Sequence, residues 1–311
     1  MKARLCVERL TLDYGPRRVL DDITLAIADG AFTAIVGPNG CGKSTLLKAL
    51  LRLLVPGRGR VMLDGQDLAE ISPRTVSRQL ALLPQGAESP EGLTVEELVH
   101  YGRAPHQSWW GRAGREDRSA VAQAMAHTGV TALAERPLHA LSGGQRQRAW
   151  LAMVLAQQTP IVLLDEPTTF LDINHQHELM ELLAGLRRQG RTLVAVLHDL
   201  NQAARYADVM VALGPDGRIY DQGPPQRVMT AAMMQAIFGL ACHVDSDPVS
   251  ATPRVTPLTS GLKLGASAHP DPDVGQPPRA QRMNLPVPVP ALNPWAAAPT
   301  SARRSGPAGR R

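Results

Sequence analysis

The composition of this 311-residue chain sets the first limits on its function. Its 44% hydrophobic residues are enough for a sizeable core, and no stretch approaches the ~20 apolar residues that span a bilayer. The formal net charge of +5 lies mainly in residues 264–311, where six arginines oppose two aspartates. The preceding residues are therefore nearly neutral, and their charge gives no support to nucleic-acid binding. Three widely separated cysteines favour a reducing cytosol over a disulfide framework.

The first 36 residues carry three short strand patterns. Apolar and polar residues mix with strand-like spacing over 3–13 and 19–27, and a mostly apolar run follows at 31–36. Short neighbouring strands of this kind predict an antiparallel sheet beside the main sheet. Tyr14, after the first strand, is predicted to lie against an adenine ring; the alternative is an aromatic side chain packed at the strand end.

A glycine-rich segment follows the run at 31–36 and precedes a helix-forming run at 46–51. The backbone N–H groups of such a loop and the positive end of the next helix favour a phosphate group. Lys43 is predicted to reach the β- and γ-phosphates of ATP, and Ser44 is predicted to ligate Mg²⁺. The predicted nucleotide-binding residues of this phosphate loop are Gly37, Pro38, Asn39, Gly40, Cys41, Gly42, Lys43, Ser44 and Thr45. Cys41 is either a site of inhibition by thiol reagents or a tolerated loop residue.

The next strand pattern, at 80–84, ends in a polar amide. Because ligands bind at the carboxyl ends of strands in α/β sheets, Gln85 is predicted to contact Mg²⁺ or the attacking water. From residue 94 to 158 the pattern becomes helical, with a capping-box sequence at Thr94. A loop inside this region carries Trp109 and Trp110, for which a protein-contact patch and packing on the helices are equally open interpretations.

A second predicted anion site lies at the start of the helix that begins near residue 143. Ser142 is a natural N-cap, and Gly143 and Gly144 leave backbone N–H groups bare at the positive end of the helix. With Gln145 they form the segment that we call the signature segment, Leu141–Gln145, and we predict that it contacts nucleotide.

Two adjacent carboxylates follow the apolar run at 161–164. Four apolar residues in a row predict a strand buried on both faces, and therefore a parallel sheet with helices on each side. Successive strand side chains point to opposite faces, so the two acids are expected to differ in role. Asp165 is predicted to bind Mg²⁺, mostly through water, and Glu166 to polarise the hydrolytic water. Asp172 lies one short turn farther along the chain and is predicted to contact nucleotide.

Histidine occurs in two contexts near these acids. His198 follows the apolar strand at 192–197, and a hydrogen bond to the γ-phosphate is predicted for it. His175 and His177 stand two apart in a predicted helix over 174–188, which places them on different faces. A metal-binding pair is therefore not expected there, and both are predicted to be solvated.

The composition changes after Lys263. Ten prolines with many Ala, Gly and Ser residues leave too little apolar surface to offset chain entropy, so 264–311 is predicted to be a disordered tail. We expect one compact domain over 1–263, with a helical subdomain at about 90–158.

Taken in order, these segments resemble the seven motifs of the ATP-binding subunits of ABC transporters. The matching positions are Tyr14, the phosphate loop, Gln85, the signature segment, Asp165 with Glu166, Asp172 and His198. The stretches at 102–107, 141–157, 165–172, 197–206 and 247–253 are similar to the ATPases of ferric-siderophore importers, especially the ferric-enterobactin type. The resemblance implies an α/β P-loop NTPase with a mostly parallel core sheet, an antiparallel β subdomain and an inserted helical subdomain.

The resemblance also implies partners and a location. Two copies would face each other head to tail, each ATP lying between the Lys43 loop of one copy and the signature segment of the other. The region from Gln85 to Trp110 would pass the motion to transmembrane permease subunits, which receive ferric siderophore from a periplasmic binding protein. The chain would work peripherally at the cytoplasmic face of the inner membrane, without nucleic acid.

Three alternatives stay open at this point. Importers of haem or cobalamin use similar ATPases, and the substrate is chosen by subunits other than this one. An ABC-type ATPase acting on nucleic acid would need a long coiled coil or two cassettes; the short interval between Gln85 and Leu141 and the single set of motifs disfavour it. A regulatory ATP-binding module without turnover is disfavoured by the presence of both Glu166 and His198.

Overall fold

The computed structural model describes residues 3–86, 92–107, 114–169 and 171–258. All of them belong to the first of two units, Met1–Gly261, and the second unit, Leu262–Arg311, lies outside the described residues. Trp109, Trp110 and the predicted tail at 264–311 also lie outside them. Within the described ranges, no helix is both long and apolar enough to cross a bilayer.

The described residues contain both strands and helices, beginning with three consecutive strands. The strands are β1 (Ala3–Tyr14), β2 (Arg17–Ala28), β3 (Phe32–Val36), β4 (Arg58–Leu63), β5 (Gln66–Asp67), β6 (Leu80–Leu83), β7 (Ile161–Asp165), β8 (Thr192–Val196), β9 (Val209–Leu213), β10 (Ile219–Gly223), β11 (Cys242–Ser246) and β12 (Pro253–Pro257). The helices are α1 (Lys43–Leu50), α2 (Pro73–Gln79), α3 (Val95–Tyr101), α4 (Arg115–His127), α5 (Gly143–Ala156), α6 (Ile173–Arg188), α7 (Leu200–Tyr206), α8 (Pro225–Val228) and α9 (Ala231–Met233).

The central sheet has the strand order β10-β9-β3-β8-β7-β6. All of its neighbouring strands are parallel except β9 and β10, which pair antiparallel. Every residue of β3, β7 and β8 is buried, and successive side chains enter two different apolar cores. Phe32 and Ala34 lie in one core and Ile35 in the other, as the period of two requires. The predicted parallel sheet with both faces covered is confirmed.

A second sheet lies in the first 70 residues, with the order β2-β1-β4-β5 and antiparallel pairing throughout. Leu5 of β1 stands opposite Ile27 of β2 and Leu63 of β4, and all three are buried. The apolar residues therefore share one face of the sheet, and the predicted antiparallel sheet is confirmed.

The topology of the central sheet determines where a site can form. Because β3, β6, β7 and β8 run parallel, their carboxyl ends meet at one edge. The phosphate loop follows β3, Gln85 comes just after β6, Asp165 ends β7, and His198 comes just after β8. One edge of the sheet therefore gathers the candidate residues.

The region between β6 and β7 is helical where the structure describes it, with α3 and α4 both packed against α5. The capping box at the start of α3 is confirmed: Glu97 N donates to Thr94 Oγ1 at 3.3 Å and Thr94 N donates to Glu97 Oε2 at 2.8 Å. Buried Arg103, after α3, donates to Asp117 Oδ1 of α4 at 2.9 Å and to the Ala156 carbonyl of α5 at 2.7 Å. One guanidinium thus ties the three helices together.

Gly102 allows α3 and α5 to approach closely. A Cβ atom built on Gly102 would lie 2.1 Å from the carbonyl oxygen of Met153, although its backbone is ordinary for any residue. We expect Gly102→Ala to lower the free energy of unfolding by about 2–3 kcal/mol, because two backbones must move apart. Urea unfolding measures the change.

Gly185→Ala is the matched control for that substitution. Gly185 lies inside α6, where an added Cβ would meet nothing closer than the Arg188 guanidinium at 3.8 Å. Alanine is the better helix former, so this variant should gain about 0.5–1 kcal/mol. Equal effects at the two positions would contradict the steric explanation.

Several elements were not predicted from the sequence, among them α2, α7 and the β11–β12 hairpin. The hairpin packs on α7, where Asn201 Oδ1 accepts a hydrogen bond from Val255 N at 2.8 Å. Helix α9 is followed directly by one π-helical turn, Met234–Phe238.

Candidate active site

The phosphate loop joins β3 to α1 in a conformation that requires glycine. Gly37 has φ 155°, and a Cβ there would lie 2.4 Å from the carbonyl oxygen of Leu213. Gly42, the N-cap of α1, has φ 103°, and its Cβ would lie 2.7 Å from a methyl group of Leu20. A side chain at either position would force the loop off β9 or β2, so the sequence at these points is determined by close backbone approach.

Lys43 is the first residue of α1 and is only 5% exposed. Its ammonium donates to the carbonyl oxygens of Gly37 at 2.9 Å and Pro38 at 2.8 Å. The buried charge is therefore stabilised by the loop itself and is held where the loop curls.

Ser44 and Asp165 place two oxygen atoms side by side. Ser44 Oγ donates to Asp165 Oδ1 at 2.9 Å, which links the start of α1 to the end of β7. Asp165 is 4% exposed, and burial raises the pKa of its carboxyl group against the opposing effect of the Ser44 hydrogen bond. The ionised carboxylate is thus costly in the nucleotide-free protein, and a bound cation would relieve that cost.

We expect Asp165→Asn to stabilise the nucleotide-free protein at neutral pH. The pKa of the Asp165 carboxyl group is raised in the folded protein. Its contribution to folding stability is therefore present at low pH, where the group is protonated, and is lost as pH rises through the raised pKa. Asparagine removes the buried charge and can still accept from Ser44. The melting temperature at pH 7 should rise by about 2–4 °C, the shift that about 1 kcal/mol produces in a domain of this size.

The gain should shrink as pH falls through the raised pKa, because wild type becomes neutral there too. Asp245→Asn is the control, because the pKa shift of Asp245 is opposite to that of Asp165. Arg254 lowers the pKa of Asp245 in the β11–β12 hairpin. That variant should melt no higher than wild type. A lower melting temperature for Asp165→Asn at pH 7 would contradict the assigned cost of burial.

Glu166 is the centre of a hydrogen-bonded cluster beyond the end of β7. Its backbone has φ 52°, and its side chain accepts from Gln85 Nε2 at 2.6 Å and lies 2.6 Å from His198 Nε2. Thr169 Oγ1 donates to the same carboxylate at 3.2 Å. A carboxylate held by three side chains from separate segments has a fixed orientation.

These groups surround one cavity of about 360 Å³, large enough for part of a nucleotide. The residues that line it are Val19, Asn39, Gly40, Gly42, Lys43, Ser44, Thr45, Gln85, Glu166 and His198. The cavity thus brings together most of the predicted phosphate-loop residues and the three predicted catalytic side chains. Val19 and Thr169 were not predicted, because neither side chain belongs to a pattern that is recognisable in sequence.

Some predicted residues lie elsewhere. Tyr14 is the last residue of β1, is 48% exposed and does not line the cavity. Cys41 is buried and burial raises the pKa of its thiol, which favours the interpretation as a tolerated loop residue.

The signature segment forms a second cluster that does not line the Lys43 cavity. Ser142 caps α5: its Oγ accepts from Gln145 N at 3.3 Å, and its own N–H donates to Gln145 Oε1 at 3.2 Å. Asp172 caps α6 in the same way, accepting from His175 N at 2.9 Å.

His177 is exposed, as the sequence predicted, and His175 is half-buried, but each also contacts another side chain of the chain. His175 Nδ1 lies 2.8 Å from Asp172 Oδ1, and His177 Nδ1 lies 3.0 Å from the hydroxyl of Tyr206. These contacts were not predicted, because the turn before α6 supplies Asp172 and α7 supplies Tyr206. The two histidines do lie in different surroundings, as their spacing of two indicates.

Fold and cavity define a P-loop ATP-binding domain, and comparison with known proteins identifies its family. The family model described as ABC transporter matches residues 20–169. The ferric enterobactin transport ATP-binding protein of Escherichia coli (strain K12) is 54% identical over 257 residues, 82% of this chain and 94% of that protein. The chain therefore belongs to the ATP-binding, ATP-hydrolysing subunits of ABC transporters, which confirms the resemblance.

Two further relatives differ in the substrate that they are named for. The petrobactin import ATP-binding protein of Bacillus anthracis is 48% identical over 265 residues, 85% of this chain and 97% of that protein. The cobalamin import ATP-binding protein of Halobacterium salinarum (strain ATCC 29341) is 42% identical over 263 residues, 84% of this chain and 65% of that protein.

Solved structures agree on the fold. An inward-facing structure described as a metal-chelate type ABC transporter aligns with TM-score 0.72 and 28% identity over 84% of this chain and 100% of that chain. A dimeric bacterial ABC transporter cassette aligns with TM-score 0.64 and 28% identity over 71% and 98%.

Proposed function

We propose that this chain is the ATP-hydrolysing subunit that energises import of a ferric siderophore across the inner membrane. The observation that carries the substrate class is the 54% identity to the ferric enterobactin protein over nearly its whole length. The observation that carries turnover is the oriented Glu166 carboxylate in the same cavity as Lys43. In this proposal the chain supplies energy from ATP hydrolysis, and other subunits bind and translocate the ferric siderophore.

In this proposal the cavity residues divide the work on ATP. Lys43 and the loop N–H groups bind the phosphates, Glu166 polarises the attacking water, and His198 contacts the γ-phosphate. Ser44, Gln85 and Asp165 hold Mg²⁺ through oxygen atoms, the donors that this cation prefers. When bound, Mg²⁺ supplies positive charge that offsets the charge developing on the phosphoryl oxygens. Gln85 and His198 must each loosen a 2.6 Å contact with Glu166 to take up these roles.

A second copy is needed to complete the site. The residues Ser142, Gly143, Gly144, Gln145 and Asp172 do not line the Lys43 cavity. In the first turn of α5, the N–H groups of Gly143 and Gly144 precede any residue with an intrahelical acceptor, so they suit an anion from outside the helix. A head-to-tail pair would bring the signature segment of one copy onto ATP held by the phosphate loop of the other. The likeness to a dimeric cassette supports this arrangement.

The remaining partners follow from the importer class. The chain works peripherally at the cytoplasmic face of the inner membrane, bound to transmembrane permease subunits through the region from Gln85 to Trp110. A periplasmic protein delivers the ferric siderophore to the permease. No nucleic acid is involved, because the excess positive charge belongs to residues 264–311.

Import of haem or cobalamin by the same mechanism is the second candidate. The relative named for cobalamin supports it, at 42% identity, and the lower identity ranks it behind the siderophore. The residues that bind and hydrolyse ATP would be the same for both substrates. Only assays of which substrate is imported distinguish the two candidates.

Growth on defined iron sources tests the proposal. A strain that lacks the gene is supplied with iron only as a ferric catecholate siderophore and is complemented with wild type, Lys43→Ala or Lys48→Ala. Wild type and Lys48→Ala should restore growth and uptake of radiolabelled iron, and Lys43→Ala should not. Lys48 is exposed on the same helix and does not line the cavity. Normal growth of the deletion strain on every siderophore, with loss of haem or cobalamin use, would contradict the assignment of ferric siderophore as the substrate.

A further inference from the structure

His175 contacts the surface that the proposed dimer would use. Its Nδ1 atom lies 2.8 Å from Asp172 Oδ1, and the same carboxylate oxygen accepts from the His175 backbone N–H at 2.9 Å. A carboxylate can only accept, so Nδ1 carries the proton. The Asp172 side chain is 66% exposed, and its pKa is lowered chiefly by the hydrogen bond from the His175 backbone. The ring therefore fixes an ionised group that projects into solvent.

The same ring lies against the start of α5. A Cβ atom built on Gly144 would be 3.9 Å from His175 Nδ1 and 3.4 Å from a methyl group of Leu171. His175 thus stands between Asp172 and the second glycine of the signature segment. One side chain therefore contacts Asp172 and also lies close to the signature segment, the two groups that would meet a second copy.

The turn before α6 is also held at other points. Gln176 Nε2 donates to the carbonyl oxygen of Leu171 at 3.1 Å, and Gln147 Nε2 of α5 donates to that of Pro167 at 3.1 Å. The chain from Glu166 to Asp172 is therefore bound to α5 and α6 at both ends, and its final carboxylate depends on His175.

We propose that His175 is a positioning residue for ATP turnover, which holds the Asp172 carboxylate in one orientation relative to the signature segment for the opposing copy. This inference rests on the proposed head-to-tail dimer. A mobile Asp172 side chain would have to be ordered each time the dimer closes. The loss of its conformational entropy would make closure less favourable. The role differs from helix capping, because the backbone N–H of residue 175 remains in every variant.

The experiment uses the full chain and compares ATP turnover with ATP-dependent dimer formation. The variants are His175→Ala, His175→Asn, Asp172→Ala and the double variant of the two alanine changes. Asparagine places an amide nitrogen where Nδ1 stands and can donate to Asp172. His177→Ala is the matched control, since it removes an imidazole two residues farther along α6 that contacts Tyr206 instead.

We expect His175→Ala to lower kcat by about fivefold, the order expected for loss of one solvent-exposed hydrogen bond, with KM for ATP changed by less than about twofold. His175→Asn should recover most of the loss, and His177→Ala should match wild type. The double variant should be no slower than Asp172→Ala. Dimer formation with ATP, measured by light scattering in a Glu166→Gln background, should weaken in parallel with kcat.

Three kinetic results would overturn the inference. They are wild-type kcat in His175→Ala, an asparagine variant as slow as the alanine variant, and losses that multiply in the double variant. If Glu166→Gln alone forms no ATP-dependent dimer, the proposed head-to-tail dimer fails and the inference falls with it. If Glu166→Gln forms the dimer and the added His175→Ala change leaves it equally stable, the inference alone is refuted.

Discussion

Glu166→Gln is expected to stop ATP hydrolysis while leaving ATP binding intact. The carboxylate accepts from Gln85 and Thr169 and contacts His198, so its position in the cavity is already fixed. Glutamine keeps the size and most of these contacts but cannot take up a proton from the attacking water. The turnover rate should fall by about 10²–10⁴-fold, the range for loss of a general base.

The same variant should accumulate as a closed dimer in the presence of ATP. The phosphate loop and Lys43 are untouched, so ATP binds, and the contacts that ATP makes across the interface are not removed by hydrolysis. Light scattering with and without ATP measures the dimer, and phosphate release measures turnover. Glu178→Gln, an exposed change on α6, is the control and should behave as wild type. Hydrolysis at the wild-type rate in Glu166→Gln would remove Glu166 from its role.

Lys43→Ala should abolish ATP binding. The Lys43 ammonium is buried in the phosphate loop. It is oriented there by hydrogen bonds to the carbonyl oxygens of Gly37 and Pro38. Without it the phosphates lose their direct charge partner, and the two carbonyls lose their donor. We expect affinity for ATP to fall by about 100-fold or more, consistent with about 3 kcal/mol for a buried charged hydrogen bond.

Ligand-induced stabilisation measures this loss without any turnover. ATP at 100 times its dissociation constant should stabilise wild type by about 2.7 kcal/mol, and the corresponding rise in melting temperature should disappear in Lys43→Ala. Lys48→Ala removes an ammonium from the exposed face of the same helix and should keep the full rise. An unchanged rise in Lys43→Ala would show that the loop binds phosphate without this side chain.

Much of the site could be predicted because its chemistry is encoded in short segments. Gly37 and Gly42 stand where φ is positive and a Cβ would collide with Leu213 or Leu20, so the local sequence reflects the loop conformation directly. The fully buried strands β3, β7 and β8 appear as apolar runs, and each ends at or next to a polar candidate. Parallel pairing then gathers those ends at one edge of the sheet.

The contacts within the site could not be predicted in the same way. Neither Gln85 nor His198 carries a local signal that it contacts Glu166, since 81 positions separate the first pair. The pairing of His175 with Asp172 was missed although the two are close in sequence, because it depends on how the turn enters α6. Packing of the β11–β12 hairpin on α7 is likewise a long-range contact, through Asn201 and Val255.

The sequence by itself determined the fold class, the family and which groups are predicted to meet ATP, because buried apolar runs, loop glycines and helix caps are local requirements. The tertiary structure alone decided which groups touch: Glu166 between Gln85 and His198, Ser44 against Asp165, and His175 between Asp172 and Gly144. Those contacts join segments that are separate in the chain, and their geometry is fixed only once both cores of the central sheet are packed.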